Sequence, residues 1–394
     1  MAATRLKKET NLRSRCSRRG VLVFMVLAVA LGGRLAFAEL PARLTDQELW
    51  KLSSEASEPD GTFHSENLVS NEARFQTIVP ALTQTVAPGR AYVGVGSEQN
   101  FTYIAAIRPA MAFIVDIRRG NLDLHLIYKA LFELSANRVE FVARLFSRKA
   151  PAGLGATSTT AEIFAAFEKA APSQALYDQN LKDIKTQLVA KHGFKLSSGD
   201  LEGIDFVYSS WFKYGPDIQY ELTTGGGNRA GPGGIRGGGI RGGGEFPTYA
   251  DLMTATDGEG RNRSYLASED AFKFLKDLES RNLIVPIVGN FAGPKALRAV
   301  GEYLKQKGAT VSAFYVSNVE QYLREDGIWG NFCANAATLP IDAASTFIRS
   351  ARGGFAGQPV QLSRGGRGIP SVGAGFTLDL APMKPDLARC PASR

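Results

Sequence analysis

A glycine-containing turn gives the strongest chemical signal in the sequence, in the run Val93-Gly94-Val95-Gly96-Ser97-Glu98-Gln99-Asn100. Glycines at the end of a strand let the backbone approach a ligand closely, and the first amides of a following helix are free to bind an anion. Asp116 ends the next predicted strand, 22 residues after Gly94, where a carboxylate could accept hydrogen bonds from ribose hydroxyls. The alternative is that the glycines only make a tight turn and that Asp116 only caps a helix.

The turn lacks the third glycine of the dinucleotide-binding pattern, because Asn100 and Phe101 stand in its place. That glycine allows close helix–strand packing beside a pyrophosphate, so its absence disfavours NAD, FAD and a nucleotide-dependent oxidoreductase. A nucleoside without a pyrophosphate, such as S-adenosylmethionine, does not require it. We therefore expect such a nucleoside to be bound by Gly94, Gly96, Ser97, Glu98, Gln99, Asn100, Asp116 and Ile117.

The order of predicted strands and helices places this turn in an α/β fold. Two predicted strands, Ala91–Gly96 and Ala112–Ile117, flank a predicted helix at Phe101–Ile107. The second strand is apolar almost throughout, which is typical of a strand buried on both faces of a parallel sheet. This alternation predicts a doubly wound, mostly parallel sheet. Further strands are predicted at Ile204–Tyr208, Leu283–Gly289 and Thr310–Tyr315, and further helices at Leu122–Phe146, Ala271–Arg281, Pro294–Lys307 and from Val319.

A single globular domain is predicted at residues 39–352. Its first part, 39–90, is expected to be a mostly helical packing segment, in which Thr45 and Glu48 have the spacing of a capping box. Glycine-rich sequence cannot build a packed core. We therefore expect a flexible loop insertion at 223–245 and a poorly ordered tail at 353–394.

The positive charge of the chain is concentrated at its amino terminus. Residues 1–38 hold eight Lys or Arg and one acid, and so contribute +7 of the formal net charge of +8. The remainder is close to neutral, which removes the electrostatic argument for a specific nucleic-acid partner. A small-molecule ligand is the partner that the sequence favours.

The same amino-terminal segment has the pattern of an export signal. Basic residues precede an apolar run at Val21–Gly33, which is too short for an ordinary membrane span, and Ala36-Phe37-Ala38 matches a small-x-small cleavage site. Residues 17–22 also resemble the twin-arginine motif, whose pathway exports folded proteins. The alternative is an uncleaved signal anchor, which Arg34 near the cleavage site supports. Either interpretation puts the basic end in the cytoplasm and the domain in the periplasm or outside the cell.

The remaining reactive residue types form no recognised catalytic or metal-binding motif. Cys333 and Cys390 could form a disulfide in an exported protein or stay as two thiols. His125 is expected to have a structural or surface role. Several acids could act as bases, but nothing in the sequence selects among Glu66, Glu72 and Glu320.

The turn and the strand after it resemble an uncharacterised bacterial family with a methyltransferase-like fold. The resemblance rests on the run from Tyr92 to Ala105 and on Phe113-Ile114-Val115-Asp116-Ile117-Arg118-Arg119. It implies a class I methyltransferase-like Rossmann scaffold, and it suggests S-adenosylmethionine as the ligand. Further stretches that carry it are Leu68–Glu72, Thr248–Met253, Phe291–Leu297 and Ser317–Tyr322.

Two further polar positions follow predicted strands. Asn290 stands where S-adenosylmethionine enzymes often carry an Asp/Asn-Pro-Pro-aromatic motif that grips a target nitrogen. The sequence here, Asn290-Phe291-Ala292-Gly293, lacks both prolines, which disfavours methylation of an amino group. Ser317-Asn318 could line the same crevice, because ligands bind beyond the carboxyl ends of parallel strands. Capping of the next helix is an equal alternative at both positions.

Two functions follow from these observations. The first is an exported methyltransferase-like protein that binds S-adenosylmethionine or a related nucleoside, with an unknown acceptor. The second is an exported binding or interaction protein that keeps the scaffold without the chemistry. The lack of both prolines after Asn290 favours the second.

Overall fold

The computed structural model describes residues 39–222, 246–352 and 376–390. Its centre is a six-stranded sheet with the strand order β3-β2-β1-β4-β5-β6. All neighbouring strands pair in parallel except β5 and β6, which are antiparallel. The predicted α/β fold with a mostly parallel sheet is therefore confirmed. The strands are β1 (Ala91–Gly94), β2 (Met111–Asp116), β3 (Ile284–Val288), β4 (Val311–Ser317), β5 (Thr346–Arg352) and β6 (Phe376–Pro382).

Helices connect the parallel strands, and α3 links β1 to β2. Short 3₁₀ segments at Phe75–Ile78 and Gly215–Asp217 and a π-helical turn at Thr186–Lys191 extend the helical parts. The α-helices are α1 (Asp46–Ala56), α2 (Val79–Thr85), α3 (Gln99–Ile107), α4 (Arg119–Leu134), α5 (Arg138–Phe146), α6 (Thr160–Lys169), α7 (Gln174–Lys185), α8 (Ser198–Tyr214), α9 (Tyr249–Thr254), α10 (Glu269–Ser280), α11 (Ala296–Gln306), α12 (Val319–Glu325), α13 (Trp329–Ala336) and α14 (Met383–Ala388).

The inner strands are buried along their whole length. Every residue of β1, β2 and β3 is buried, and successive side chains of a strand point to opposite faces. Both faces of this part of the sheet are therefore covered: α4 packs on β2 and β3, α1 packs on β3, and α11 packs on β2. These strands therefore form a fully buried centre from whose carboxyl ends the loops of the site begin.

The predicted strand at Ile204–Tyr208 is wrong, because these residues lie within α8. The buried positions Ile204, Val207, Tyr208 and Trp211 recur at helical spacing, while Phe206 is 49% exposed. A strand would bury alternate residues instead. Ser197 begins the helix as a capping box with Asp200, and this local signal outweighs the β propensity of a short aromatic run.

The predicted helix Leu122–Phe146 is two helices, α4 and α5. The Asn137 side chain accepts a hydrogen bond from the Glu140 amide and so starts α5 as a new helix. In the amino-terminal segment the capping box of Thr45 and Glu48 is present, but residues 57–74 are mostly irregular. The expectation of a mostly helical segment is therefore corrected for this stretch.

The expected poorly ordered tail is also corrected in part. Residues 376–388 form β6 and α14, and a disulfide joins Cys333 to Cys390 with a Cα–Cα distance of 5.9 Å. Of the two alternatives for these cysteines, the structure has the disulfide. The predicted signal at 1–38, the insertion at 223–245 and the tail at 353–375 and 391–394 lie outside the described residues. Within the described ranges, no helix combines the length and apolar character needed to cross a bilayer.

Candidate functional site

A cavity of about 630 Å³ lies beyond the carboxyl ends of β1, β2 and β4. The chain leaves β1 toward β2 on one side, whereas β4 pairs with β1 on the other side. This reversal of strand order is the place where open α/β sheets bind ligands. The cavity is lined by Gly96, Ser97 and Gln99 after β1, by Asp116, Ile117 and Arg118 at the end of β2, by Tyr315, Ser317 and Asn318 at the end of β4, and by parts of the 62–71 loop.

Gly94 and Asn100 shape the turn from beneath and do not line the cavity. The Asn100 amide nitrogen donates to the carbonyl oxygens of Val95 and Ser97, at 2.8 Å each, and its oxygen accepts from the Tyr92 hydroxyl at 2.8 Å. A Cβ on Gly94 would lie 1.9 Å from the Asn100 oxygen. Any larger residue at position 94 would therefore collide with the Asn100 side chain, which holds the turn.

Gly96 takes the left-handed conformation, with φ of +78°, which favours glycine. Its carbonyl oxygen accepts a hydrogen bond from Nε2 of His125 at 2.9 Å. Burial lowers the pKa of His125 to about 4, so the ring is neutral near pH 7 and Nε2 carries the proton. His125 thus fixes the turn from α4, a structural role that the isolated histidine in the sequence does not specify.

Asp116 offers one carboxylate oxygen to the cavity. Asp116 is only 4% exposed. Its Oδ1 accepts a hydrogen bond from the Arg118 amide at 2.9 Å and lies 3.3 Å from Nε of Arg118. Oδ2 accepts no hydrogen bond from the described part of the chain. Because Asp116 lines the cavity, Oδ2 is the oxygen available to a ligand.

Glu98 lies behind the turn, and it does not line the cavity. Its Oε1 accepts from the Ser70 amide at 3.2 Å, and Oε2 is buried without a partner among the described residues. Burial raises the pKa of Glu98 to about 7. The predicted nucleoside-binding residues are therefore separated: Gly96, Ser97, Gln99, Asp116, Ile117 and Asn290 line the cavity, while Gly94, Glu98 and Asn100 support it.

Asn290 follows the edge strand β3 and serves its own turn. Its side-chain oxygen accepts from the Ala292 amide at 2.8 Å, and its backbone amide donates to Glu58 at 3.1 Å. The other Glu58 oxygen accepts from the amides of Lys295 and Ala296 at the start of α11. Strand β4 pairs with β1 on the side opposite β2. Its last residue, Ser317, is the polar residue that lines the cavity on that side.

A hydrogen-bonded network of four side chains lies at the β4 side of the cavity. Oε1 of Glu72 accepts from the Ser317 hydroxyl at 2.7 Å, and Oε2 accepts from the Gln99 amide nitrogen at 2.6 Å. The Ser70 hydroxyl donates to the Gln99 oxygen. Ser70, Gln99 and Ser317 line the cavity, while Glu72 is only 1% exposed, and burial raises its pKa. We call Ser70, Glu72, Gln99 and Ser317 the cavity floor.

Part of the cavity floor was predicted: Gln99 and Ser317 were expected at the site and line the cavity, whereas Glu72 was one of three acids among which the sequence does not select, and Ser70 was not predicted. Glu320 is instead held by Arg349 at 2.9 Å, and the Glu66 backbone oxygen accepts from the Arg118 guanidinium. One signal in the sequence points toward Glu72: it lies in the Leu68–Glu72 stretch that carries the family resemblance.

Residues 67–213 and 234–367 match the family described as "Domain of unknown function (DUF7790)". The chain belongs to this family. It has no significant match among curated proteins. The matched ranges contain the glycine turn, Asp116 and all four residues of the cavity floor. Three cavity-lining residues at the mouth, Thr62, Phe63 and His64, precede the matched ranges.

The mouth of the cavity carries a small aromatic cluster. The ring of Phe63 lies 4.1 Å from that of His64 and 5.3 Å from that of Tyr322, measured between centroids. Tyr322 belongs to α12, which follows β4, so the cluster joins the 62–71 loop to the β4 side. Aromatic rings at the mouth favour a ligand with an apolar or cationic body.

Proposed function

We propose that this chain is an exported methyltransferase-like protein that binds S-adenosylmethionine or a related nucleoside in the cavity at the end of β1 and β2. The observation that carries the proposal is the pairing of the Gly96–Ser97 turn with Oδ2 of Asp116 on the walls of one cavity. A carboxylate oxygen that accepts no hydrogen bond from the described residues is suited to accept from ribose hydroxyls. The class I methyltransferase-like scaffold is part of this proposal.

The size of the cavity and the shape of the turn favour a nucleoside without a pyrophosphate. A volume of about 630 Å³ lies in the usual range for small-molecule sites. The position of the third dinucleotide glycine is occupied by the Asn100 side chain, which holds the turn from beneath. Bound at this site, S-adenosylmethionine would supply an electrophilic methyl group, with Asp116 orienting the ribose.

Export is supported by the basic and apolar pattern of residues 1–38 and by the Cys333–Cys390 disulfide. Disulfides persist in oxidising compartments such as the periplasm and are rare in the cytosol. S-adenosylmethionine is made in the cytoplasm, so an exported protein must acquire it before export. The twin-arginine route exports proteins that are already folded, and a folded protein can carry a bound ligand with it.

An exported binding protein without catalysis is the second candidate. It is favoured by Asn290, the predicted position for gripping a methyl acceptor, because its side-chain oxygen is already bound within its own turn. This candidate shares the nucleoside site with the first and differs from it in lacking methyl transfer.

Titration of S-adenosylmethionine into the purified mature protein tests the proposal, with mass spectrometry of the ligand retained from its native compartment. We expect binding in the roughly micromolar to millimolar range and about tenfold weaker binding by Asp116→Ala. Asp270→Ala is the matched control, since Asp270 does not line the cavity. No binding by the wild type, or equal binding by the Asp116 variant, contradicts the proposal.

A further inference from the structure

The hydroxyl proton of Ser317 is donated to side chains of the protein itself. It is shared between two acceptors, Oε1 of Glu72 at 2.7 Å and the side-chain oxygen of Asn318 at 3.3 Å. A hydroxyl has one proton and two lone pairs. Ser317 therefore has only lone pairs to offer to a ligand in the cavity.

The rest of the cavity floor has its protons committed in the same way. The Gln99 amide nitrogen donates both hydrogens, to Glu72 at 2.6 Å and to the Tyr103 hydroxyl at 2.7 Å. Ser70 donates its hydroxyl proton to the Gln99 oxygen and accepts from the Glu72 amide at 3.0 Å. In its ionised form, the buried Glu72 carboxylate orients this arrangement, because its two oxygens accept from opposite sides. The cavity floor thus presents hydrogen-bond acceptors.

The backbone at Ser317 is held in an uncommon conformation. Its φ is +50°, and the pairing of β4 with β5 shifts register between Tyr315 and Ser317. Residues other than glycine rarely adopt the left-handed region, so the surrounding structure must hold Ser317 there. That conformation places the hydroxyl at the cavity and against Glu72 at the same time.

The charges around the cavity disfavour an anionic ligand group on the β4 side. Among the lining residues that the structure describes, Arg118 is the one Lys or Arg, and it follows β2 rather than β4. Its Nε and Nη1 are bound to Asp116 and to the Glu66 carbonyl, while Nη2 has no partner among the described residues. Asp326 lines the β4 side, and the Phe63 and Tyr322 rings lie close together at the mouth. Carboxylates and aromatic faces attract cations and apolar groups.

We propose that the β4 side of the cavity is a second ligand subsite, which takes an amine or an alcohol carried on an apolar or aromatic body. The N–H or O–H group of that ligand donates to Ser317, and Glu72 is the positioning residue that keeps the Ser317 lone pairs facing the cavity. The inference depends on the proposed function in one respect: the neighbouring β2 side of the cavity, with Asp116, is taken to bind the nucleoside. It adds the chemical class of the second ligand.

Three compounds with one shared ring test this subsite: benzylamine, benzyl alcohol and benzoate, titrated into the mature protein by ligand-observed NMR. We expect benzylamine and benzyl alcohol to bind, and benzoate to bind about tenfold more weakly, because it cannot donate a hydrogen bond and meets the Asp326 carboxylate. Benzoate binding as tightly as benzylamine, or no binding of either donor compound, overturns the proposal.

Variants then assign the effect to named atoms. Ser317→Ala should weaken benzylamine and benzyl alcohol binding about tenfold. Ser312→Ala is the matched control, as Ser312 lies in the same strand with its hydroxyl bonded to the Ala91 carbonyl and does not line the cavity. Equal losses in the two variants overturn the proposal.

Glu72→Gln separates positioning from folding. A glutamine amide can donate to Ser317 and free the serine proton for the cavity, so the preference for benzylamine over benzoate should shrink toward one. A purely structural role would weaken all three compounds together. If a thermal melt shows that Glu72→Gln does not fold, the comparison of Ser317→Ala with Ser312→Ala decides whether the subsite exists. Asp116→Ala should weaken the binding of S-adenosylmethionine more than that of the uncharged benzyl alcohol, and Ser317→Ala should do the reverse, so the two proposals fail independently.

Discussion

The two sides of the cavity are assembled in different ways. The β2 side is built from one short stretch of chain, Gly94 to Ile117, in which a turn, a helix and a strand follow one another, and this stretch also contributes Gln99 to the β4 side. The β4 side brings Glu72 to Gln99 across 27 positions and Glu72 to Ser317 across 245 positions. The first arrangement can be predicted from local spacing. The second depends on the folded topology, and its chemistry is that of a buried network rather than of a motif.

The largest expected effect comes from breaking the turn of the β2 side. Gly94→Ala would place a Cβ 1.9 Å from the Asn100 oxygen and 2.9 Å from the Tyr92 ring. Because this contact displaces the side chain that holds the turn, we expect a loss of about 4 kcal/mol in the free energy of unfolding. Urea denaturation measures it.

Gly120→Ala provides the control for this substitution. Gly120 lies in the first turn of α4, and a Cβ there meets no atom within 4 Å. We expect unchanged or slightly higher stability, since alanine favours helix. Equal losses for the two variants would mean that the Gly94–Asn100 contact is not what the fold requires.

A smaller effect is expected at Glu98, which joins the two sides through the Ser70 amide. Burial raises its pKa from 4.5 to about 7, so the folded state favours the protonated carboxyl. Its contribution to stability is fully present below about pH 4.5 and is lost as the pH rises through 7. The loss amounts to roughly 3 kcal/mol. Glu98→Gln should remove this part of the pH dependence.

Unfolding by urea between pH 4 and pH 8 measures the difference between the wild type and Glu98→Gln. The exposed Glu168 supplies the control, as Glu168→Gln should give a profile parallel to that of the wild type. A Glu98→Gln profile that is also parallel would show that this carboxyl is not held in its protonated form near neutral pH.

The smallest effect is expected at Asn290. Asn290→Ala removes the hydrogen bond to the Ala292 amide and should cost about 1 kcal/mol of stability. Because the side-chain oxygen serves the turn, we expect the affinity for S-adenosylmethionine to change less than about threefold. Calorimetric titration of both Asn290→Ala and Asp116→Ala checks this. A loss of affinity as large as that of the Asp116 variant would show that the Asn290 side chain binds the nucleoside.

The sequence predicts the parts of the fold whose signal is local. Strands β1 and β2 follow from apolar runs that end in Gly94 and Asp116, since strands buried on both faces are apolar almost throughout. The segment Ile204–Tyr208 has similar residue types, yet it is helical. Its helical spacing of buried residues is visible only when Trp211 is included, beyond the five residues that were taken for a strand. Strand β6 was not predicted, although Phe376-Thr377-Leu378-Asp379-Leu380 alternates apolar and polar residues, because the glycine-rich stretch before it led to the prediction of a poorly ordered tail.

The candidate site was predictable to the same extent. Asp116 and the Gly96–Ser97 turn were found by spacing, and they lie together at one cavity. Asn100 was expected to face a ligand but instead caps the turn from below, a distinction that depends on side-chain direction. Glu72 could not be singled out, because its partners Gln99 and Ser317 become neighbours only after the chain has folded.

The disulfide between Cys333 and Cys390, 57 positions apart, closes a covalent ring that contains β5, β6 and α14. A protease that cuts one peptide bond inside this ring opens it without releasing a fragment. Cleaved protein would therefore keep its full mass on a non-reducing gel and separate into two pieces only after treatment with a reductant. In an oxidising, protease-rich compartment, the carboxyl-terminal strand stays attached to the domain even after the chain has been nicked.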